Sequence, residues 1–172
     1  MRVETLYIQD FEDPEIGMLI DENDEWILVK HIPVDYVIDG YKIYRKKFIE
    51  DRINGENEQK IEKVLKLKKI DVDKPKGFEF NNTIGLLEWV EKKYGIFEFQ
   101  DLDGSEVAYG KINEMNDGLL TIDFVDADGN VEVAYDYQYL VDDIRIITFE
   151  TDYHTSIVLL YTDNHKMHGN NM

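Results

Sequence analysis

Asp152, His154 and Ser156 have the residue types of an orienting acid, a base and a nucleophile. Along an extended strand these alternate positions share one face. A serine nucleophile also needs its base within hydrogen-bond reach, and Ser156 does not stand in a Gly-x-Ser-x-Gly turn. We therefore predict no catalytic residues.

Two further stretches carry residue types that bind metals. Residues 126–132 cluster acids around Asp128-Gly129, but Phe124 stands where a calcium loop needs an acid. A hairpin turn explains Asp128-Gly129 without a metal. His165 and His168 have the spacing of two ligands on a helix, but they lie in a polar stretch that predicts a flexible tail. We predict no metal site and no cofactor.

Tyr135, Tyr137 and Tyr139 alternate with other residues and are predicted to share one strand face, with Asp142 and Asp143 close behind. Tyrosine combines apolar area with a polar tip and is common in protein interfaces. These five residues are our predicted partner-binding site. The alternative is an ordinary packed strand face.

The charge of the chain is strongly negative and unevenly distributed. The formal net charge is −18, and residues 77–172 carry 5 Lys+Arg against 19 Asp+Glu, a net charge of −14. Such a surface repels phosphate backbones, which disfavours nucleic-acid binding. It favours a basic protein partner, and the alternative is that the charge serves solubility alone.

The elements that position these residues are mostly short strands separated by Asp-Gly and Asn-Asp turns. An amphipathic helix is predicted over 56–70, and a second from Thr83, as its cap, to Gly95. The predicted strands are 16–20, 26–32, 41–44, 96–100, 107–112, 119–125, 131–135, 144–149 and 154–161.

The two halves of the chain resemble each other. Gly17–Val29 aligns with Gly110–Ile122 at an offset of 93, and Phe48–Asp51 aligns with Leu140–Asp143 at an offset of 92. Repeated agreement near one offset predicts an internal duplication. The predicted domains are a first barrel over 1–55, a helical connector and linker over 56–82, a second barrel with an N-terminal helix over 83–161, and a flexible tail over 162–172.

The stretch from Phe97 to Ile112 is similar to the first Sm motif, with a Gly-containing hairpin and Gly110 before aliphatic Ile112. The resemblance implies an Sm-like, SH3-like barrel formed by a helix and five strands. The Arg-Gly pair with which Sm proteins bind RNA is absent, because the matching end reads Val141-Asp142-Asp143-Ile144-Arg145-Ile146. RNA binding is therefore not carried over.

The whole chain also resembles a family of uncharacterised bacterial proteins without an assigned activity. The resemblance rests on Trp26-Ile27-Leu28, Asp39-Gly40-Tyr41 and Gly110-Lys111-Ile112. It implies two domains and leaves the function open.

The fold class predicted from these observations is mainly β with two helices, arranged as two small SH3-like (Sm-like) barrels joined by a helical connector. The predicted function is a non-catalytic interaction module for a basic partner, with an immunity-type protein or nucleic-acid mimic as a special form. The alternative is an enzyme with a carboxylate or divalent-metal site between the barrels. We expect a cytoplasmic protein that meets no membrane, either a monomer with paired barrels or a homodimer.

Overall fold

The computed structural model describes residues 1–102 and 107–169, and for residues 133–136 and 167–169 it describes the backbone alone. The chain divides into two compact units, Met1–Phe80 and Asn81–Met172. The fold is mainly β, with antiparallel strands and three α-helices in the described part of the chain. The predicted turn Asp103-Gly104 lies outside the described residues.

The first unit contains five strands in the order β5-β1-β2-β3-β4, and each strand is antiparallel to its neighbours. A 3-10 helix, Lys46–Phe48, leads into the last strand. The predicted strands at β2, β3 and β4 are confirmed, whereas β1 and β5 were not predicted. The strands are β1 (Arg2–Ile8), β2 (Glu15–Glu22), β3 (Trp26–His31), β4 (Tyr41–Arg45) and β5 (Ile49–Ile53).

The turn between β2 and β3 is stabilised by Asn23. Its side-chain oxygen accepts hydrogen bonds from the backbone nitrogens of Glu25 at 2.9 Å and Trp26 at 2.7 Å. A short Asx side chain that bonds the following backbone in this way closes a tight turn.

Helix α1 (Glu56–Leu67) confirms the predicted amphipathic helix. Its apolar stripe, Ile61 and Leu65, packs into one cluster with Val3 and Met18 of the first sheet and with Ile32, just after β3. The helix therefore belongs to the first compact unit. Residues 71–80 follow it without regular structure, and within them Pro75 and Phe78 are buried.

The described residues of the second unit also form five strands, in the order β10-β6-β7-β8-β9, again antiparallel. A 3-10 helix, Val141–Asp143, precedes the last strand. All five strands lie where the sequence predicted strands, although β7 and β9 extend further. They are β6 (Phe97–Gln100), β7 (Ala108–Asn116), β8 (Leu119–Val125), β9 (Val131–Leu140) and β10 (Ile146–Phe149).

Helix α2 (Thr83–Tyr94) confirms the second predicted helix, with Leu86, Leu87 and Val90 buried. Its cap is Asn82, whose side-chain oxygen accepts from the backbone nitrogen of Gly85 at 2.8 Å. The prediction that Thr83 caps the helix was therefore one residue too late.

Helix α3 (Asp152–Gly169) replaces the strand predicted over 154–161 and continues through most of the predicted flexible tail. The strand prediction was wrong. The side-chain oxygen of Thr151 accepts from the backbone nitrogen of His154 at 3.1 Å, which is N-cap geometry. Ile157 packs with Ile96, just before β6, and with Val125 of β8, so tertiary packing stabilises the helix.

The two units share one pairing register. Gly17 of the first unit pairs with Glu4 and His31, and Gly110 of the second unit pairs with Phe97 and Phe124. Each of these three residues of the second unit lies 93 positions after the matching residue of the first unit. The register of β2 against β3 shifts between Leu19 and Asp21, and that of β7 against β8 shifts between Ile112 and Glu114, again 93 positions apart.

Towards the end of each unit, the offset between matching positions is slightly larger than 93. The amide of Lys46 donates to the carbonyl of Glu25 at 2.8 Å, and the amide of Val141 donates to that of Gly118 at 2.9 Å. The 3-10 helices thus stand 95 positions apart, so the alignment of Phe48–Asp51 at an offset of 92 joins positions that do not correspond. The sheet order is open in each unit, without a described pairing between the fourth and fifth strands.

Candidate partner-binding face of the second unit

The predicted tyrosines lie on β9, the last strand of the second sheet. The side chain of Tyr135 lies outside the described residues. Tyr137 stacks on Phe124 with ring centroids 4.3 Å apart, and its hydroxyl donates to Glu132 at 2.5 Å. Tyr139 meets Phe99 edge-on at 4.9 Å. Both rings are half-buried, so each offers only part of its surface to a partner.

The register between β8 and β9 shifts once among the described pairs. Ile122 of β8 pairs with Tyr137, but Phe124, two residues further on, pairs with Glu132. Tyr137 and Tyr139 lie on the same side of this shift and keep the two-residue spacing of one strand face.

Asp142 and Asp143 lie in the 3-10 helix that follows β9. The hydrogen bond from the amide of Val141 to the carbonyl of Gly118 holds this helix against the turn between β7 and β8. Asp142 and the turn residue Asp117 are exposed, and Asp143 is half-buried. The two predicted acids therefore belong to the same end of the sheet as Asp117.

Next to this end lies a sheet face that the sequence analysis did not single out. Directly paired residues share a face, and Glu114 pairs with Thr121, which lies between Leu119 and Asp123 on that side of β8. On β9, Leu140 pairs with Leu119, and Gln138 pairs with Thr121. We call this set the open face: Glu114, Leu119, Thr121, Asp123, Gln138 and Leu140.

The open face is accessible and mixed in character. Leu140 is 56% exposed, Glu114 and Gln138 are exposed, and the three residues of β8 are half-buried. Asp123 accepts a hydrogen bond from Asn113 at 2.7 Å, and it pairs with Lys111, whose ammonium lies 3.7 Å from Glu91. An exposed leucine beside carboxylates provides both apolar area and negative charge to a partner.

The whole second unit is acidic. Residues 81–172 carry 5 Lys+Arg against 18 Asp+Glu, a net charge of −13, whereas residues 1–80 carry 14 against 19, a net charge of −5. Several of the few cations are already engaged. Arg145 is buried, Lys93 lies over the rings of Trp89 and Tyr94, and Lys111 pairs with Glu91.

In the first unit, the corresponding end of the sheet is neutralised by the chain itself. Lys46, in the 3-10 helix, lies 2.7 Å from Glu22, and the guanidinium of Arg52 lies 2.9 Å from the same carboxylate. Arg45 pairs with Glu25 at 2.8 Å. Lys47, 95 positions before Asp142, occupies the matching place in that helix. The charge at this position is thus reversed between the units.

The ion pairs of Glu22 lead to a prediction about acid stability. Hydrogen bonds from Arg52 and then Lys46 lower the pKa of Glu22 to about 2 from its usual 4.5. A lowered carboxyl pKa stabilises the fold above pH 4.5, and this contribution disappears as the pH falls towards 2. Because the side chain is partly exposed and screened, we expect Glu22→Gln to remove about 1 kcal/mol at pH 7.

The measurement is the free energy of unfolding by urea at pH 7 and at several values down to pH 2.5. The difference between wild type and Glu22→Gln should shrink as the pH falls. Glu12→Gln, at an exposed loop position, is the matched control. A difference that is constant with pH would show that the ion pairs of Glu22 do not contribute.

The residues considered for nucleophilic catalysis do not form a triad. Ser156 donates to the backbone carbonyl of Asp152 at 2.8 Å, one turn earlier in α3. His154 is buried, with its Nε2 3.2 Å from the carbonyl oxygen of Ile96, and burial lowers its pKa. The helix thus places the serine in contact with backbone rather than with the histidine.

Local structure explains Asp126 and His165 among the residues considered as metal ligands, and the side chain of His168 lies outside the described residues. The carboxylate of Asp126 accepts from the backbone of Asp128 at 2.9 Å and of Asn130 at 2.8 Å, closing the turn between β8 and β9. His165 Nδ1 lies 2.8 Å from the carbonyl oxygen of Tyr161. In residues 1–102 and 107–169, no group of three or more such side chains is placed to hold a metal ion.

A polar cluster that sequence reasoning missed lies in the first unit. Glu15 accepts from Lys42 at 2.8 Å and from the hydroxyl of Tyr44 at 2.9 Å, and it lies 3.4 Å from Nδ1 of His31. Burial disfavours the charged form of Glu15, but the charge and hydrogen bond of Lys42 outweigh it and lower its pKa. Burial, reinforced by Lys42, lowers the pKa of His31. These residues lie on three strands, so no local motif announces the cluster.

A scan against protein-family models, a search of curated proteins and a search of solved structures each found no match to this chain. None of the helices in the described residues has the length and apolar composition needed to cross a membrane.

Proposed function

We propose that this protein is a non-catalytic interaction module that binds a basic protein partner through its acidic second unit. The observation that supports the proposal is the unequal charge of the units, −13 over residues 81–172 against −5 over residues 1–80. Five cations cannot offset 18 acids. A partner that supplies cations would relieve the repulsion among these carboxylates.

Such a surface acts mainly on the rate and specificity of association. Complementary charge steers diffusional encounter, and its effect falls as the salt concentration rises, because exposed charges are screened over about 8 Å at physiological ionic strength. Apolar contacts, such as those available at Leu140, are needed to retain the partner after encounter. The proposal therefore requires a partner that is both basic and partly apolar.

An immunity-type protein or nucleic-acid mimic is a special form of this proposal, in which carboxylates take the place of phosphates against a basic toxin or nuclease. This form predicts binding that weakens steeply with salt. A cytoplasmic location and an intramolecular or homodimeric pairing of the units, both expected from the sequence, remain part of the proposal.

The proposal also includes the finer architecture of two SH3-like barrels derived from an internal duplication. The shared strand order, the constant offset of 93 and the 3-10 helix before each last strand support it. Chance similarity of two short hairpins does not explain why the register shift also falls at the same offset.

Neutralising the acids around the open face should weaken capture of a basic partner. We expect the variant Glu114→Gln, Asp117→Asn, Asp123→Asn, Asp142→Asn to bind about tenfold more weakly than wild type, because several carboxylates act together on the same cations. The partner is captured from lysate of the native host with the full chain, eluted in a salt gradient and identified. Its affinity is then measured with purified proteins.

The matched control neutralises four exposed acids of the first unit: Glu12→Gln, Asp13→Asn, Asp24→Asn, Asp35→Asn. It changes the net charge by the same amount and should alter affinity by less than about twofold, because these charges lie outside the proposed surface. Equal losses of affinity in the two variants would show that binding depends on the total charge of the protein and not on the open face. Capture of no basic protein above background would contradict the proposed function.

A further inference from the structure

The face of the first unit that corresponds to the open face is not accessible in the same way. At offsets of 93 on β2 and β3, Glu114 corresponds to Asp21, and Asp123 corresponds to Lys30. Leu119 paired with Leu140 corresponds to Trp26 paired with Arg45. Trp26 is fully buried whereas Leu119 is half-buried, and the side chain of Arg45 is 11% exposed whereas Leu140 is 56% exposed. The same position in the fold is therefore closed in one unit and open in the other.

A segment of the first unit lies along its own face. The ammonium of Lys30 donates to the carboxylate of Asp71 at 2.8 Å and to the carbonyl oxygen of the same residue at 3.0 Å. Three positions later, Lys74 donates to Asp21 at 3.0 Å. Residues 71–74 thus extend from β3 to β2 across this side of the sheet, held by one ion pair at each end.

The second unit has the same two positions with a different charge pattern. Lys30 is replaced by Asp123, whereas Asp21 is replaced by another acid, Glu114. A segment that lies on the open face as residues 71–74 lie on the first unit would therefore meet two carboxylates. A segment whose charge complements the open face therefore carries two basic residues. One takes the place of Asp71 and the other the place of Lys74.

We propose that the open face is the docking site for a short segment of a partner protein with two basic residues three positions apart and apolar residues beside them. The cations pair with Asp123 and Glu114, and an apolar side chain covers Leu119 and Leu140. Lys111 does not prevent this pairing, because its ammonium is directed to Glu91 on α2. The inference rests on the proposed function and specifies where and in what form the basic partner binds.

The first unit supplies the probe for a direct test. The probe is a synthetic peptide of residues 71–80 with Asp71→Lys, and the control peptide has the unchanged sequence of residues 71–80. Both are titrated into the full chain labelled with ¹⁵N. The expected result is that the probe shifts the amide signals of Leu119, Thr121 and Asp123 and leaves that of Lys30 unchanged, since residues 71–74 already lie there.

The charge-reversed protein completes the test. The probe places a lysine opposite Asp123, where the unchanged peptide places an aspartate. We therefore expect the probe to bind the wild-type protein about fivefold more tightly than the unchanged peptide does. Asp123→Lys, made together with Lys111→Met, should reverse this preference. The two changes reproduce the pair Met18 and Lys30 of the first unit and avoid a lysine facing Lys111. Glu114→Lys, at an exposed position, is a second variant that should weaken the probe without favouring the unchanged peptide.

Three results would overturn the inference. They are equal affinities for the two peptides, shifts that map outside the open face, and shifts of the open face that depend on protein concentration without peptide, which would mean that a second copy covers it. In each case the capture experiment still decides whether a basic partner binds elsewhere on the second unit. The proposed function is therefore tested separately from this docking site.

Discussion

Replacing Gly129 with alanine should destabilise the second unit by at least about 3 kcal/mol, because a left-handed backbone and a steric clash are combined there. Gly129 has a φ of 78°, which a side chain disfavours. A Cβ atom at this position would also stand 2.4 Å from the backbone nitrogen of Tyr161 in α3. Backbone atoms in a helix cannot move individually, so the whole helix must shift.

The shift would also break polar contacts between the turn and the helix. The side-chain amide of Asn164 donates to the carbonyl oxygen of Asp128 at 3.0 Å and to the side-chain oxygen of Asn130 at 3.2 Å. We therefore expect α3 to separate from the turn. Hydrogen exchange of the α3 amides, together with the free energy of unfolding, measures this effect.

Gly118→Ala is the matched control. Gly118 has a φ of 82°, but a Cβ there meets no atom within 4 Å. This variant should therefore cost only the left-handed conformation, about 1–2 kcal/mol, with α3 exchange unchanged. Equal losses of unfolding free energy for the two glycine variants would mean that the clash with α3 does not contribute to the destabilisation by Gly129→Ala.

Removing the charge of Glu15 should destabilise the first unit by about 2–3 kcal/mol, because it leaves polar partners buried without compensation. In Glu15→Gln the ammonium of Lys42, 13% exposed, loses its carboxylate, and the hydroxyl of buried Tyr44 loses a charged acceptor. The negative charge of Glu15 also partly opposes the lowering of the His31 pKa. The pKa of His31 should therefore fall further in the variant.

Two measurements separate this mechanism from a general loss of packing. In the double variant Glu15→Gln, Lys42→Met, stability should recover by about 1–2 kcal/mol relative to the sum of the single changes, since the pair is removed together. Proton NMR titration of His31 reports the local field. Glu50→Gln, exposed on β5, should leave both quantities unchanged. Strict additivity, with an unaltered His31 titration, would argue against an electrostatic role for Glu15.

The sheets were largely predictable because local signals mark them. Turns such as Asp117-Gly118 and Asp128-Gly129 separate runs of apolar residues, and both glycines take the positive φ that such turns need. β1 was missed because no Asp-Gly or Asn-Asp turn joins it to β2, and β5 was missed because it directly follows the 3-10 helix Lys46–Phe48.

Helix α3 shows where local propensity misleads. The run His154 to Tyr161 is apolar and contains Thr155, Ile157 and Val158, which favour strands. Packing of Ile157 against the second sheet outweighs this preference. Thr151, whose side chain caps the helix, was the sequence signal that could have corrected the prediction.

The candidate site was predicted only in part. Asp142 and Asp143 were chosen because they follow the alternating tyrosines, and the structure places them beside the turn at Asp117. The open face was not found because membership of a face depends on register, which includes a shift between Ile112 and Glu114. The alignment at an offset of 93 did contain a usable signal, since extending it sets Lys30 against Asp123.

The common register of the two units also bears on how the chain avoids misassembly. A hairpin strand of one unit fits the geometric place of its counterpart, so exchanged pairing is a hazard while both units fold. If β7 paired with β3, Lys111 would stand opposite Lys30, and like charges in that position repel. In the native pairings Lys111 faces Asp123 and Lys30 faces Met18. The difference in charge between the two units thus disfavours the wrong pairing of β7 with β3.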